Sequence, residues 1–342
     1  MRGALIGCGF FAQNHLAAWR EMRKDGVRLV AVCDADADKA RAAADQFGVE
    51  RFYTDVSAML AADSLDFVDI VTRMESHREL VQLAAQNHLN IIVQKPLAPG
   101  WPDALEIVRT ARAAGVRLAV HENFRHQAPM TKARALIESG AIGTPSWARI
   151  AFRTGFDVYR TQPYFHREKR LAILDVGIHV LDLARFFLGE VERLACETQR
   201  RNSKNVGEDT ATMLLRHLSG AVSEVECTYE ARLNPDPFPE TLLHIEGERG
   251  SLILGPGLRA IVTSDGEARE HDFSSPLLSW TEQPWHTVQE SVLRTQQAIV
   301  AAWRAGKDAD TSGSDNLKTF ALVEAAYESA SSARAVAPLT SC

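Results

Sequence analysis

The amino terminus reads Arg2-Gly3-Ala4-Leu5-Ile6-Gly7-Cys8-Gly9-Phe10-Phe11-Ala12, a short apolar run followed at once by Gly-x-Gly-x-x-Ala. A run of this length suits a buried strand, and a helical pattern continues from it to about Lys24. In that setting each small residue has its own task. Gly7 permits a tight turn, Gly9 lets the backbone approach a pyrophosphate, and Ala12 allows the helix to pack closely on the strand. The amides of the first helical turn would supply the anion site. Asp34 closes the next apolar run, Val27–Cys33, at the point where a carboxylate can bind both ribose hydroxyls. It would repel a 2′-phosphate, and Asp36 and Asp38 follow it rather than Arg or Lys. The expected cofactor is NAD rather than NADP.

Strand and helix patterns then alternate. An alanine-rich helix runs to Gly48, a C-cap glycine, and Phe67–Val71 is a buried strand ending at Thr72. Ser76-x-x-Glu79 reads as a capping box that opens a helix to about Asn87. Ile91–Val93 is a strand ending at Gln94-Lys95-Pro96, Pro102 suits the first turn of another helix, and Arg117–His121 is a fifth strand. Such alternation implies βαβ units and a parallel sheet. After about residue 123 the pattern changes. Thr210–Leu218 and Ala221–Glu230 flank a Ser219-Gly220 turn. Val225, Cys227 and Tyr229 there alternate with Glu224, Glu226 and Thr228, the period of an antiparallel hairpin with one covered face. Leu242–Glu246, Ser251–Leu254 and Arg259–Thr263 continue as strands, and helices over about 286–305 and 315–332 close the chain. The expected fold class is α/β. A Rossmann dinucleotide-binding domain occupies 1–122, and an α+β domain for substrate binding and oligomerisation occupies 123–342, with an open, mostly antiparallel sheet. An uncovered sheet face invites a second copy, so a homodimer or homotetramer is expected.

The 342 residues are 46% hydrophobic and 24% charged, a globular balance with ample core. A net charge of −6 argues against a nucleic-acid or anionic-membrane binder. No apolar run approaches the ~18 residues needed to span a bilayer. The five cysteines (Cys8, Cys33, Cys196, Cys227, Cys342) are scattered and form no Cys-x-x-Cys pair, which supports neither a disulfide framework nor a zinc ribbon. Leu5-Ile6-Gly7-Cys8 resembles a lipoprotein box, but its apolar stretch is too short for a signal segment. A reduced, cytoplasmic protein with no bound metal is expected.

Ile173–Leu188 is apolar on nearly every side, as an interior helix is. Asp175, His179 and Asp182 interrupt it at i, i+4 and i+7, on one face. A buried ionisable stripe must be paired within the protein or line a ligand cavity. The residues alone leave three readings open: a core histidine held by an aspartate, a shared metal ion, or a catalytic group. Gly177, between the first two, would let a flat ring come close. Lys95 stands at the carboxyl end of a parallel strand, where open α/β sheets place their ligands.

Taken in order, the glycine loop, Thr72 before Ser76-His77, Gln94-Lys95-Pro96, Asn123-Phe124-Arg125 and Asp175-x-Gly-x-His179 resemble the Gfo/Idh/MocA family of sugar-type oxidoreductases. The likeness runs over nearly the whole chain. It implies a Rossmann domain followed by an open-sheet domain, NAD as cofactor and a sugar as substrate. By that resemblance Lys95 is the catalytic lysine, and Asp175 and His179 are the acid–base pair. Phe10, Phe11, Thr72, His77, Gln94 and Lys95 join Gly7, Gly9 and Asp34 at the cofactor. Asn123, Arg125, Phe156, Tyr164 and His286 join Asp175 and His179 at the substrate. Three positions depart from the family pattern: Gln94 replaces the usual Glu, Arg73 stands where proline is common, and Arg167–Ala172 replaces a stretch often rich in glycine. A narrower likeness in Gly155–Val158, Gln162–Tyr164 and Pro284–His286 implies oxidation of a sugar at its anomeric hydroxyl to a lactone. In that chemistry His179 takes the hydroxyl proton, the Lys95 ammonium stabilises the alkoxide, and Asp175 orients the His179 ring or holds a neighbouring hydroxyl. The alternatives are another sugar or cyclitol dehydrogenase of the same family and a non-catalytic NAD-binding sensor, the second of which leaves Lys95 and the stripe without a task.

Overall fold

The computed structural model describes residues 1–340, so Cys342 lies outside the described residues. The chain divides into two compact units. One comprises Met1–Asn123 with Gln289–Leu317, and the other Phe124–Val288 with the chain from Lys318 onward.

The first unit alternates β1 (Arg2–Ile6), α1 (Ala12–Glu21), β2 (Arg28–Cys33), α2 (Ala37–Phe47), β3 (Arg51–Tyr53) and α3 (Val56–Ala62). It continues with β4 (Phe67–Ile70), α4 (His77–Gln86), β5 (Asn90–Gln94), α5 (Trp101–Ala113) and β6 (Leu118–His121). Its six strands among the described residues pair in parallel, in the order β3-β2-β1-β4-β5-β6. Residues 4–6 of β1, all of β4 and residues 91–94 of β5 are buried, because a parallel sheet is covered on both faces. Trp19 of α1 packs on Phe67 with ring centroids 5.0 Å apart, and Trp303 meets Phe67 from the other segment of the unit at 6.3 Å. Asp36 caps α2 through the amides of Asp38 and Lys39, and Gly48 ends it at φ 63°. The sequence reading held five strands here. The sixth, β3, is three residues long and mostly exposed, so no apolar run announces it. The capping box at Ser76 does not form. A 3-10 turn over Met74–Ser76 leads into α4, and the Ser76 hydroxyl donates to Thr72 Oγ1 and the Arg73 carbonyl instead.

The second unit begins with α6 (Ala128–Glu138), β7 (Pro145–Arg153) and α7 (Ile178–Leu188). Seven strands follow: β8 (Val191–Gln199), β9 (Thr210–His217), β10 (Val222–Thr228), β11 (Leu242–Gly247), β12 (Gly250–Leu254), β13 (Arg259–Ser264) and β14 (Glu267–Asp272). With β7 they make a sheet in the order β14-β13-β12-β11-β7-β10-β9-β8, in which β10 and β7 run parallel and the other pairs antiparallel. The helices α8 (His286–Arg304) and α9 (Gly313–Ser332) come last among the described helices. β7, β8 and β14 are strands the sequence pattern did not mark, and β7 is the one on which the sheet is centred. On one face of β10, Ser223, Val225 and Cys227 are fully buried. On the other, the register lines up Leu214, Glu224, Arg149, His244, Ile253 and Ile261 across six strands. Glu226 on this second face is nonetheless buried, because Arg149 and Arg153 both reach its carboxylate. No helix among the described residues is long and apolar enough to cross a membrane.

Candidate active site

In the first unit the loop after β1 has the geometry its glycines suggest. Gly7 has φ +96°, and a Cβ there would lie 2.7 Å from the Val71 carbonyl oxygen, so only glycine fits. A Cβ built on Gly9 meets nothing within 4 Å, leaving open space over the loop where a diphosphate could approach. Ala12 is buried at the start of α1. Asp34 anchors the same loop: its Oδ2 accepts from the Cys8 amide at 2.7 Å and its Oδ1 from the Asp36 amide at 2.9 Å. Each oxygen keeps a second lone pair for a ribose hydroxyl. These residues fit an NAD diphosphate and ribose. Burial, reinforced by Asp34, pushes the Cys8 thiol up to about 12, so it is no nucleophile. Phe10 is 60% exposed at the loop tip, and Phe11 lies edge-on to His15.

The next loops of this unit divide between surface and strut. Thr72 is half-buried and accepts from Ser76. His77 is fully buried, with Nδ1 facing the Leu97 carbonyl at 3.1 Å and Nε2 facing the Thr72 carbonyl at 3.2 Å. Burial holds it below the ordinary histidine value. Both ring nitrogens are thus directed at protein carbonyls, and His77 ties the loop after β4 to the loop after β5. Lys95 follows β5 and is half-buried. Gln94 turns inward: Oε1 accepts from the Lys95 amide at 2.6 Å, and Nε2 lies 3.1 Å from His15 Nε2. The Asn123 amide donates to Ser291 Oγ at 2.7 Å.

In the second unit Asp175 sits in a single π-helical turn, Ile173–Gly177, that runs into α7. Such turns widen a helix locally and recur at functional sites. Tyr229, from just beyond β10, donates its hydroxyl to Asp175 Oδ2. Burial, then the Asp175 charge, pushes that phenol well above its ordinary value, so Tyr229 is held as a donor. His179, 4% exposed, lies flat on Phe124, with centroids 3.8 Å apart and planes within 2°. Gly177 does not leave room for a ligand ring; a Cβ there would lie 3.3 Å from Cys227 Sγ and 3.2 Å from the Ala172 carbonyl oxygen. Arg125 is held by the protein. It is buried and bidentate on Asp182, Nε to Oδ2 at 2.7 Å and Nη2 to Oδ1 at 2.5 Å.

Phe156 stacks on Phe238 with centroids 4.1 Å apart, and Trp285 meets both rings edge-on. Tyr164 is 41% exposed and donates to Gln162. His286 is half-buried; its Nδ1 is buried without a hydrogen-bond partner, and the residue borders a cavity of about 350 Å³ with Phe238, Glu240 and Ser275. Tyr229 is the residue that sequence reasoning missed. Its alternation with Thr228 marked it only as part of a covered strand face, and its partner lies 54 positions away.

Residues 1–122 match the oxidoreductase family with an NAD-binding Rossmann fold, and residues 130–253 match the GFO/IDH/MocA C-terminal domain. The chain belongs to the Gfo/Idh/MocA oxidoreductase family. It is 49% identical to D-apiose dehydrogenase of Rhizobium rhizogenes over 98% of this chain and 97% of that one. To D-apiose dehydrogenase of Paraburkholderia graminis it is 48% identical, over 98% and 89% of the two chains. Among solved structures, an oxidoreductase from Agrobacterium radiobacter in complex with NAD+, L-tartaric acid and magnesium is 49% identical. It superposes with a TM-score of 0.96 over 98% of each chain. The present chain is therefore an oxidoreductase with an NAD-binding Rossmann domain and a mixed-sheet second domain.

Proposed function

We propose that this chain is an NAD-dependent dehydrogenase that oxidises D-apiose at its anomeric hydroxyl to the lactone. The observation that carries the reading is its 48–49% identity, over nearly the full length, to two proteins with that name. In the proposed division of labour residues 1–122 bind the nucleotide, and residues 123–342, apart from Gln289–Leu317, which packs with the first unit, bind the sugar and a second copy. Gly7, Gly9, Phe10, Phe11 and Thr72 cradle the cofactor, and Asp34 selects it by taking ribose hydroxyls and repelling a 2′-phosphate. NAD, when bound, supplies the two-electron acceptor. His179 takes the hydroxyl proton, and its stacking on Phe124 holds the ring in one plane. The Lys95 ammonium stabilises the developing alkoxide, a preorganised contribution of roughly 3–4 kcal/mol. Asp175, its Oδ2 engaged by Tyr229, orients the His179 ring or a neighbouring sugar hydroxyl. His286, Phe156 and Tyr164 are the remaining candidates for sugar contacts, with Asn123 and Arg125 acting through the neighbours they hold.

Exposed Leu214 at one end of the row on the sheet's second face and Ile253 and Ile261 at the other, with Glu224, Arg149 and His244 between them, support a homodimer or homotetramer built on that face. The cytoplasm is the compartment proposed, in keeping with four free, buried cysteines. The test is the initial rate of NAD reduction with D-apiose, common aldoses and inositol, each repeated with NADP. A D-apiose rate with NAD well above the other pairs is expected. Activity confined to another sugar would discard the substrate and keep the chemistry. NAD binding with no turnover on any of them would return the sensor reading.

A further inference from the structure

The first unit contains a polar line that the proposed chemistry does not use. Asp69 stands in β4, flanked by β1 and β5, and is fully buried. Its Oδ2 lies 2.8 Å from His15 Nδ1 and accepts from Trp19 Nε1 at 2.7 Å, while Oδ1 has no hydrogen-bond partner. His15, fully buried in α1, faces Gln94 Nε2 with its other nitrogen at 3.1 Å. Gln94 Oε1 then meets the Lys95 amide at 2.6 Å. The line Asp69–His15–Gln94 therefore ends on the backbone of the residue assigned to the alkoxide.

Its polarity is fixed from that end. A backbone N–H can only donate, so the Gln94 atom facing Lys95 is the carbonyl oxygen. The other end of the amide is then NH2, which also only donates. His15 Nε2 must accept, and its proton sits on Nδ1, directed at Asp69. The pattern of donors and acceptors thus selects a single tautomer, Nδ1–H. The groups packed around it agree with this assignment. Asp69 comes from β4 and Gln94 from β5, His121 of β6 lies with its ring centroid 4.2 Å away, and Phe11 and Trp19 come from around and within α1. The Gln296 amide donates weakly to the His15 carbonyl. A glutamate at 94 would serve Lys95 equally well but would present a second acceptor to His15. The imidazole would then need two protons.

We propose that Asp69, His15 and Gln94 form a relay of fixed polarity that anchors the Gln94–Lys95 peptide, making Gln94 and His15 positioning residues for the Lys95 side chain. This rests on the role proposed for Lys95. A lysine reaches its target through four rotatable bonds, so the orientation of its own peptide sets where the ammonium can go. The glutamine keeps that anchor without charging His15.

Two measurements test it on the full chain. The first is ¹⁵N NMR of the His15 ring at neutral pH, which should show Nδ1 protonated and Nε2 bare in the wild type. In Gln94→Glu both nitrogens should carry protons. The second is kinetic. Gln94→Leu, with neither acceptor nor donor, should lower kcat about tenfold while KM for NAD moves by less than about threefold. Gln94→Glu, which restores the acceptor for Lys95, should recover most of kcat. An Nε2–H tautomer in the wild type overturns the relay, as does unchanged turnover in Gln94→Leu or a Gln94→Glu enzyme no faster than it. A wild type that oxidises no sugar would remove the role of Lys95, while the wild-type spectrum would still decide the polarity. That spectrum also stands if the leucine variant does not fold.

Discussion

Asp69 and Asp182 are both fully buried, and the protein treats their charge in opposite ways. Asp182, on α7, takes two nitrogens of Arg125, has Arg185 Nη1 at 3.8 Å and accepts from Thr319 Oγ1 at 2.8 Å. Asp69, on β4, takes a tryptophan and a histidine N–H on one oxygen. The first carboxylate is a fixture between two cations in a medium of low dielectric, where attraction is strong and removal of one partner is costly. The second meets no guanidinium or ammonium among the described residues, so its influence passes along the hydrogen bonds of a histidine and a tryptophan. Burial alone does not say what a carboxylate is for; the kind of donor it keeps does.

The largest effect expected is on turnover, one helical turn before Asp182. His179→Ala should lower kcat by about 10²–10⁴, the usual worth of a general base, with NAD affinity nearly unchanged. A stability loss without a rate loss would move His179 into the class of Asp182. Asp182→Ala should do the reverse. It takes the bidentate carboxylate from the buried Arg125 guanidinium, while Arg185 keeps Glu190, and should cost about 3–5 kcal/mol in urea unfolding. A cost under about 1 kcal/mol would mean that the Arg125 guanidinium is satisfied without Asp182 and that Asp182 is no fixture. Asp69→Asn removes the charge but can still accept through its amide oxygen, so its cost should stay near 1–2 kcal/mol. If it matches Asp182→Ala, the contrast fails.

The same contrast explains what the sequence revealed. The nucleotide loop was legible because its parts are local: Gly7 and Gly9 bend one turn, and Asp34 binds the amide of Cys8 at the end of the neighbouring strand. The parallel strands showed as unbroken apolar runs for the same reason. The second unit was legible as a hairpin and a buried helix but not as a site in detail. Arg125 pairs with Asp182 57 positions on, Tyr229 reaches back 54 to Asp175, and Phe124 lies under His179. No spacing within one element encodes such partners. Periodicity placed Asp175, His179 and Asp182 on one face, yet it could not show the π-helical turn beneath Asp175 or the arginine already waiting for Asp182. The three-residue β3 and the half-exposed β7 escaped because neither has a clean period.

A smaller change is expected at the nucleotide loop, where one carboxylate has both structural and binding tasks. Asp34→Ala removes the acceptor for the Cys8 and Asp36 amides together with the proposed ribose contact. NAD affinity should fall about tenfold, and the preference for NAD over NADP should narrow, while kcat at saturating NAD is little changed. Calorimetric titration with both nucleotides decides it. If affinity for both nucleotides falls by the same factor, Asp34 shapes the loop and does not select the ribose.

The smallest effect separates the two units by pH. His77 in the first and His217 in the second are both fully buried, and burial holds both below the ordinary histidine value. His217 spans the Gly189 carbonyl at 2.8 Å and Ser223 Oγ at 2.9 Å, much as His77 spans its two carbonyls. In the unfolded chain each ring takes up a proton at the ordinary value; in the folded chain it does so only at lower pH. Between those points the unfolded state binds more protons, so stability rises with pH. The contribution is complete above the ordinary histidine value and is lost as pH falls toward the folded one. Urea unfolding from about pH 5 to about pH 8 should therefore show stability falling on the acid side. His77→Gln and His217→Gln should each flatten part of that slope, and the two parts should add, since the residues belong to separate units. A slope unchanged in both variants would assign the acid sensitivity to carboxylates rather than to these two struts.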